Sequence, residues 1–201
     1  DFSVKTTQGD LRFSQWAAGG WTHLFSHPAA FMPVCTTEIA ALASYGDVWR
    51  QENVRHLALT GSGIDDQIIW HEQIEGFFDI DIDFPCAHDA GLALSRLFGM
   101  LHEKESDECA VRKSFILDPD LRVRMILEYP IFIGRNMEEL LRVIRALKLR
   151  QRTGVATPAD WMSGEVVIVP DDRCETDVMR QFGSHSQQIM SYLRVVDPGD
   201  K

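Results

Sequence analysis

With 201 residues, 45% of them apolar and 25% charged, the chain can bury a core without covalent staples and has the composition of a globular protein. Its net charge of −10, from 20 basic and 30 acidic residues, argues against nucleic acid or an anionic membrane as partner. No apolar run reaches transmembrane length, and four cysteines without a CxxC pair point to a reducing, cytoplasmic setting rather than a disulfide framework.

In chain order, WTHLFS (21–26) reads as a buried strand ending in the His27-Pro28 loop. A helix opened by Thr36 or a neighbour follows, carrying Glu38, Ile39, Leu42 and Tyr45. VRHLALT (54–60) reads as a second buried strand, closed by the Gly61-Ser62-Gly63 turn. Asp65 or Asp66 then caps a helix with Ile68, Ile69 and Ile74 at apolar spacing, and His71 beside Glu72 and Glu75 on a solvated face. FDIDIDFP (78–85) alternates apolar and acidic residues and reads as an exposed edge or loop. It leads to Cys86, a small buried hydrophobe. A short helix over 90–100 precedes KSFILDPDLRVRMIL, a hairpin turned at Asp118-Pro119-Asp120.

The clearest helix covers 137–149. Asn136 caps it, Glu138 and Glu139 suit its positive end, and Lys148 and Arg150 suit the other. Leu140, Leu141, Val143, Ile144 and Leu147 make its apolar face. Alternating strands and helices make 1–150 an α/β domain. Residues 151–201, with Pro158, Gly164, Pro170 and a short VVIV strand, read as a C-terminal extension.

HPAAFMPVCTTE (27–38) sets one cysteine where a loop gives way to a helix. Backbone N–H groups and the helix dipole there favour an anionic sulfur. Pro33 removes a competing donor, and Pro28 helps to form a tight, partly dry loop. A cysteine at a helix start is by itself more often a packing residue, so the weight rests on its company.

That company is extensive. PVCTTE behind His27-Pro28, LFSHP (24–28), FILDPD (115–120), YP (129–130), GRN (134–136), LLRVIRALKL (140–149) and VATPADW (155–161) together resemble the one-cysteine subgroup of the peroxiredoxins over nearly the whole chain. The resemblance implies a thioredoxin-like fold, a mixed central sheet flanked by helices. It implies reduction of hydrogen peroxide or organic hydroperoxides by a cysteine thiolate that passes through sulfenic acid. The catalytic roles carry over to Cys35 as nucleophile, Arg112 as its pairing cation and His27. Pro28 carries over as the shielding proline. Glu38 and Arg135 belong to the supporting shell with Met32 and Pro33. Cys109 and Cys174 are candidate resolving thiols, although an ordinary loop cysteine is the commoner reading of Cys109. The implied partners are a hydroperoxide and an external thiol reductant of the thioredoxin, glutaredoxin or glutathione type. A homodimer to which 155–161 contribute is also implied, with a higher ring left open. No cofactor is implied, and His23, His27 and Cys35 have poor spacing for a metal site.

The pattern breaks in places. The family motif P-x3-T-x2-C has Met32 at its threonine. Losing that hydroxyl donor removes one transition-state hydrogen bond, about 1.5–4 kcal/mol, so reduced activity is expected. The same departure keeps alive an alternative, a non-catalytic redox sensor or interaction protein on this fold. A Cys-His hydrolase ranks last for want of an oriented base. A lipase-like serine motif found in some subgroup members has Gly20 at its serine and Ser14 at its histidine, with only Asp120 kept, so no phospholipase activity is expected. A short strand before DFSV also belongs to the family pattern, and its loss is expected to bear on edge pairing more than on chemistry.

Overall fold

The structure, a computed structural model, describes residues 1–183 and 186–197. It opens with a hairpin, β1 (Ser3–Thr6) and β2 (Gly9–Arg12). The turn requires φ 103° at Gly9, and Thr6 Oγ1 donates to the Gly9 carbonyl across it. Then follow α1 (Phe13–Ala17), β3 (Trp21–Ser26), α2 (Pro33–Ser44), α3 (Gly46–Gln51), β4 (Val54–Thr60), α4 (Ile64–Phe78), β5 (Cys86–His88), α5 (Ala93–Leu97), β6 (Arg112–Leu117) and β7 (Val123–Tyr129). These strands form one seven-stranded sheet in the order β2-β1-β5-β4-β3-β6-β7. The sheet is mixed: β3, β4 and β5 run parallel, and the other pairs are antiparallel. This is the thioredoxin-like architecture expected from the sequence.

All six residues of β3 are buried, which is why WTHLFS lacks alternation. Leu24 joins Leu11, Phe13, Leu57, Leu59 and Met100 in one core cluster.

Several local expectations are corrected. The helix after the His27-Pro28 loop opens at Pro33, not Thr36, because a proline at the first helical position has its φ already set. Thr36 instead turns its hydroxyl back onto the Met32 carbonyl at 3.0 Å. Helix α4 follows Gly63, so Asp65 and Asp66 lie in its first turn without capping it. Its buried face is Gln67, Trp70, His71 and Ile74, while Ile68 and Ile69 are 38% and 50% exposed. His71 is therefore buried rather than solvated. In FDIDIDFP no strand forms; Ile82 and Phe84 turn inward, and Asp81 and Asp83 face out. The 90–100 helix is a 3-10 turn at Ala90–Leu92 followed by α5, broken by positive φ at Gly91 and Leu92.

The chain divides into the unit just described, Asp1–Arg135, and a second, Asn136–Lys201. In the second, α6 (Met137–Thr153) is capped as expected: Asn136 Oδ1 accepts from the Glu139 amide at 3.0 Å. It runs past residue 149 to Gly154, whose φ of 74° ends it. Next come β8 (Val167–Val169), α7 (Glu175–Phe182), β9 (Ser186–Met190) and β10 (Leu193–Val196), with sheet order β8-β10-β9. Leu149 packs with Val155, Trp161, Val167, Val169, Val178 and Val196. The segment read as an extension with one short strand thus has a small sheet and core, and α6 groups with it. Among the described residues no helix is long and apolar enough to cross a membrane.

Candidate active site

β3 delivers the chain to His27 and Pro28, and Pro33 starts α2 so that Cys35 falls in its first turn, fully buried. Glu38 lies one turn further on the same face, also buried. The cation comes from β6, antiparallel neighbour of β3. Arg112 opens that strand with a fully buried side chain, and its Nη1 lies 3.4 Å from Cys35 Sγ. The same nitrogen donates to Glu38 Oε2 at 2.5 Å, and Nε donates to the Ile131 carbonyl at 2.7 Å. Arg112 Nη2 is buried without a protein partner.

Arg135 closes on the same carboxylate. Its amide and Nε donate to Glu38 Oε1 at 2.8 and 2.9 Å, and Nη2 donates to Oε2 at 2.9 Å. Its guanidinium rests over the Phe25 ring at 4.8 Å. Burial works to raise the Glu38 carboxyl, but Arg135, and after it Arg112, outweigh that and hold it below the usual carboxylate range. Two guanidiniums therefore face one carboxylate. A buried site with one uncompensated positive charge favours a negative sulfur beside it.

His27 is fully buried, and neither ring nitrogen has a partner. Burial first, then the charge of Arg135, lowers its pKa to about 3, so the ring is neutral. It packs against Trp70 with ring centres 5.5 Å apart, and Trp70 Nε1 donates to Thr36 Oγ1 at 3.0 Å. Pro28 is buried, with its carbonyl accepting from Thr60 Oγ1 at 3.3 Å, whereas Pro33 is exposed. Met32 is half-buried at the helix cap.

The structure therefore brings Cys35, Arg112, Glu38 and Arg135 into direct contact, with His27 facing Glu38 and both arginines electrostatically. Cys109 is half-buried and Cys174 exposed; all four cysteines are free. Burial raises the Cys86 thiol, in keeping with a packing residue. His23 sits beside His56 instead of a metal set, and among the described residues no three His, Cys, Asp or Glu side chains gather to hold an ion. Sequence reasoning missed Ser114 and His56, which continue the polar contacts of Arg135 into the sheet. A signal existed: WTH and VRH place a histidine third in two neighbouring strands, and parallel pairing in register sets them side by side.

Comparisons with known proteins cover most of the chain. The model of the AhpC/TSA family matches residues 1–126, and that of the C-terminal domain of 1-Cys peroxiredoxin matches residues 146–178. A peroxiredoxin of Methanosarcina mazei is 38% identical over 92% of this chain and 88% of its own length. Among solved structures, a cysteine-to-serine mutant of the peroxiredoxin 6 of Arenicola marina gives a TM-score of 0.93 at 29% identity, covering 100% of this chain and 96% of that one. A yeast mitochondrial 1-Cys peroxiredoxin, solved to explain its thiol resolution through glutathione and thioredoxin systems, gives 0.89 at 32% identity, covering 97% and 94%.

Proposed function

The chain belongs to the AhpC/TSA family as a peroxiredoxin, a cysteine-dependent peroxidase working with a peroxide and a thiol reductant, and on that premise we propose that Cys35 is its reacting sulfur. The observation that carries this is the Arg112 guanidinium 3.4 Å from Sγ, within a buried group that has one positive charge to spare.

The thiolate attacks the nearer oxygen of the hydroperoxide. An S–O bond forms, the O–O bond breaks, and the departing oxygen leaves as water or alcohol after taking a proton. Arg112 Nη2, buried and unpartnered, is a donor free for the peroxide oxygens as charge develops on them, together with the first-turn backbone N–H groups of α2. Glu38 positions both arginines, and Arg135 locks Glu38. To His27, neutral, and Pro28, both buried, we assign the exclusion of water from the sulfur, which strengthens each charge interaction within. The sulfenic acid then condenses with one reductant thiol, releasing water, and a second thiol frees Cys35 as a disulfide leaves. We assign that reduction to an external thiol of the thioredoxin, glutaredoxin or glutathione type rather than to Cys109 or Cys174, and the setting to the cytoplasm, where free cysteines persist. The assembly proposed is a homodimer.

The test is stopped-flow oxidation by hydrogen peroxide. The wild-type protein reacts far faster than free cysteine, and Cys35→Ser abolishes the reaction. A wild-type rate equal to that of a free thiol would remove the assignment.

A further inference from the structure

The nitrogen of Arg135 that faces away from Glu38 begins a second line of contacts. Arg135 Nη1 donates to Ser114 Oγ at 3.2 Å. Ser114 Oγ lies 2.9 Å from His23 Nε2, and His23 Nδ1 lies 3.1 Å from His56 Nδ1. Ser114, His23 and His56 are 1%, 0% and 4% exposed. Strand register builds the line: β3 sets His23 against His56 of β4, and β6 sets Ser114 opposite Phe25. Phe25 stacks on His23 at 4.6 Å with its ring and carries the guanidinium of Arg135 on it. Apolar side chains would fill such central strand positions at lower desolvation cost, so the polar atoms call for a use.

The chemistry of the donors gives the line a direction. A guanidinium only donates, so Ser114 Oγ accepts from Arg135. Among the described residues the one acceptor in reach of the Ser114 hydroxyl hydrogen is His23 Nε2. A neutral imidazole carries a single N–H, so that of His23 is on Nδ1 and donates to His56 Nδ1. The N–H of His56 is then on Nε2, which has no partner. The opposite direction would leave the Ser114 hydroxyl hydrogen without an acceptor as well, which a buried site penalises. Bonds aligned head to tail also polarise one another.

We propose that Ser114 and His23 are positioning residues of the peroxidase reaction: a directed hydrogen-bond line through three strands fixes the plane of Arg135 and, through Glu38, the orientation in which Arg112 meets the peroxide. This rests on the reading of Cys35 as the reacting sulfur.

The experiment compares two reactions of one thiol in wild type, Ser114→Ala and Ser114→Thr. Peroxide oxidation needs oriented guanidiniums; alkylation by iodoacetamide needs only the thiolate. In Ser114→Ala the peroxide rate constant falls about tenfold while alkylation stays within about twofold, and Ser114→Thr, which keeps the hydroxyl, restores most of the loss. A Ser114→Ala protein as fast as wild type with peroxide, or one slowed equally in both reactions, overturns the proposal. If Ser114→Ala does not fold, long-range proton–nitrogen NMR of the wild type decides. An N–H on His23 Nδ1 and on His56 Nε2 supports the directed line, and an N–H on His23 Nε2 overturns it. A wild type no faster than free cysteine with peroxide would instead bring down the reading of Cys35, a result separable from any change at Ser114.

Discussion

Glu38 is held by four hydrogen bonds from two arginines, whereas Met32, at the position of the family motif's threonine, has no hydrogen-bond donor in its side chain. Nearby hydroxyls cannot stand in for a threonine there. That of Thr36 donates to the Met32 carbonyl at 3.0 Å, and that of Thr37 to the Val34 carbonyl at 2.8 Å. Arg112 Nη2 is a buried side-chain donor without a partner, and the backbone N–H groups of the first turn of α2 lie beside the same sulfur. Met32→Thr should therefore raise the peroxide rate constant by about tenfold to several hundredfold, the equivalent of roughly 1.5–4 kcal/mol. Stopped-flow traces of the two proteins measure it, and an unchanged rate would mean that the guanidinium and those N–H groups already supply the oxyanion stabilisation. At this scale the sequence was legible through resemblance, not through spacing. Cys35 and Arg112 are 77 positions apart, and nothing in composition joins them. Ser114 and His56 stayed hidden because a serine and a histidine in apolar strands look like tolerated exceptions until the register is known.

At the scale of elements, what could be read depended on whether local chemistry or distant packing made the decision. The mainly apolar β3 and β4, each ending at a turn or loop signal, and the Asn136 cap of α6 are local signals, and the structure has them where the sequence puts them. In α4 three isoleucines drew attention, but spacing of 67, 70, 71 and 74 follows the helical period better and carries the bulk of Trp70. Strands β9 and β10 are short, and β9 is polar and exposed, so only their pairing defines them. One element bears on assembly. β7 is the outer strand of the seven-stranded sheet, with Val123 and Ile126 50% and 51% exposed. An edge strand with exposed apolar side chains beside Arg124 and Glu128 can take a second copy, and lysine on an edge is the usual device against it. The wild type should sediment as two chains and Ile126→Lys as one, with the α/β circular dichroism kept; an Ile126→Lys dimer would place the interface elsewhere.

For the molecule as a whole, buried imidazoles dominate the response to acid. In the unfolded chain each titrates near 6.5. In the fold, burial first of all lowers His27 and His56 to about 3, and His23 well below its ordinary value. Between these limits the unfolded state binds more protons, so stability is complete above about 6.5 and declines as the pH falls toward 3. Melting temperatures from pH 7 to pH 4 should drop accordingly. His56→Leu should make the decline shallower by up to one proton, about 1.4 kcal/mol per pH unit; an equally steep decline would mean that His56 titrates normally.

Cys35 has no exposed surface at all. A molecule as small as hydrogen peroxide needs only a brief fluctuation to touch it, but a protein thiol brings a whole surface with it. A bulky donor can therefore dock on the oxidised sulfur only once it is uncovered, and the first turn of α2, which carries it, is the backbone nearest to hand. Turnover at saturating donor should then reach one ceiling whichever donor is used, and ceilings that differ between donors would show that uncovering the sulfur is not the slow step.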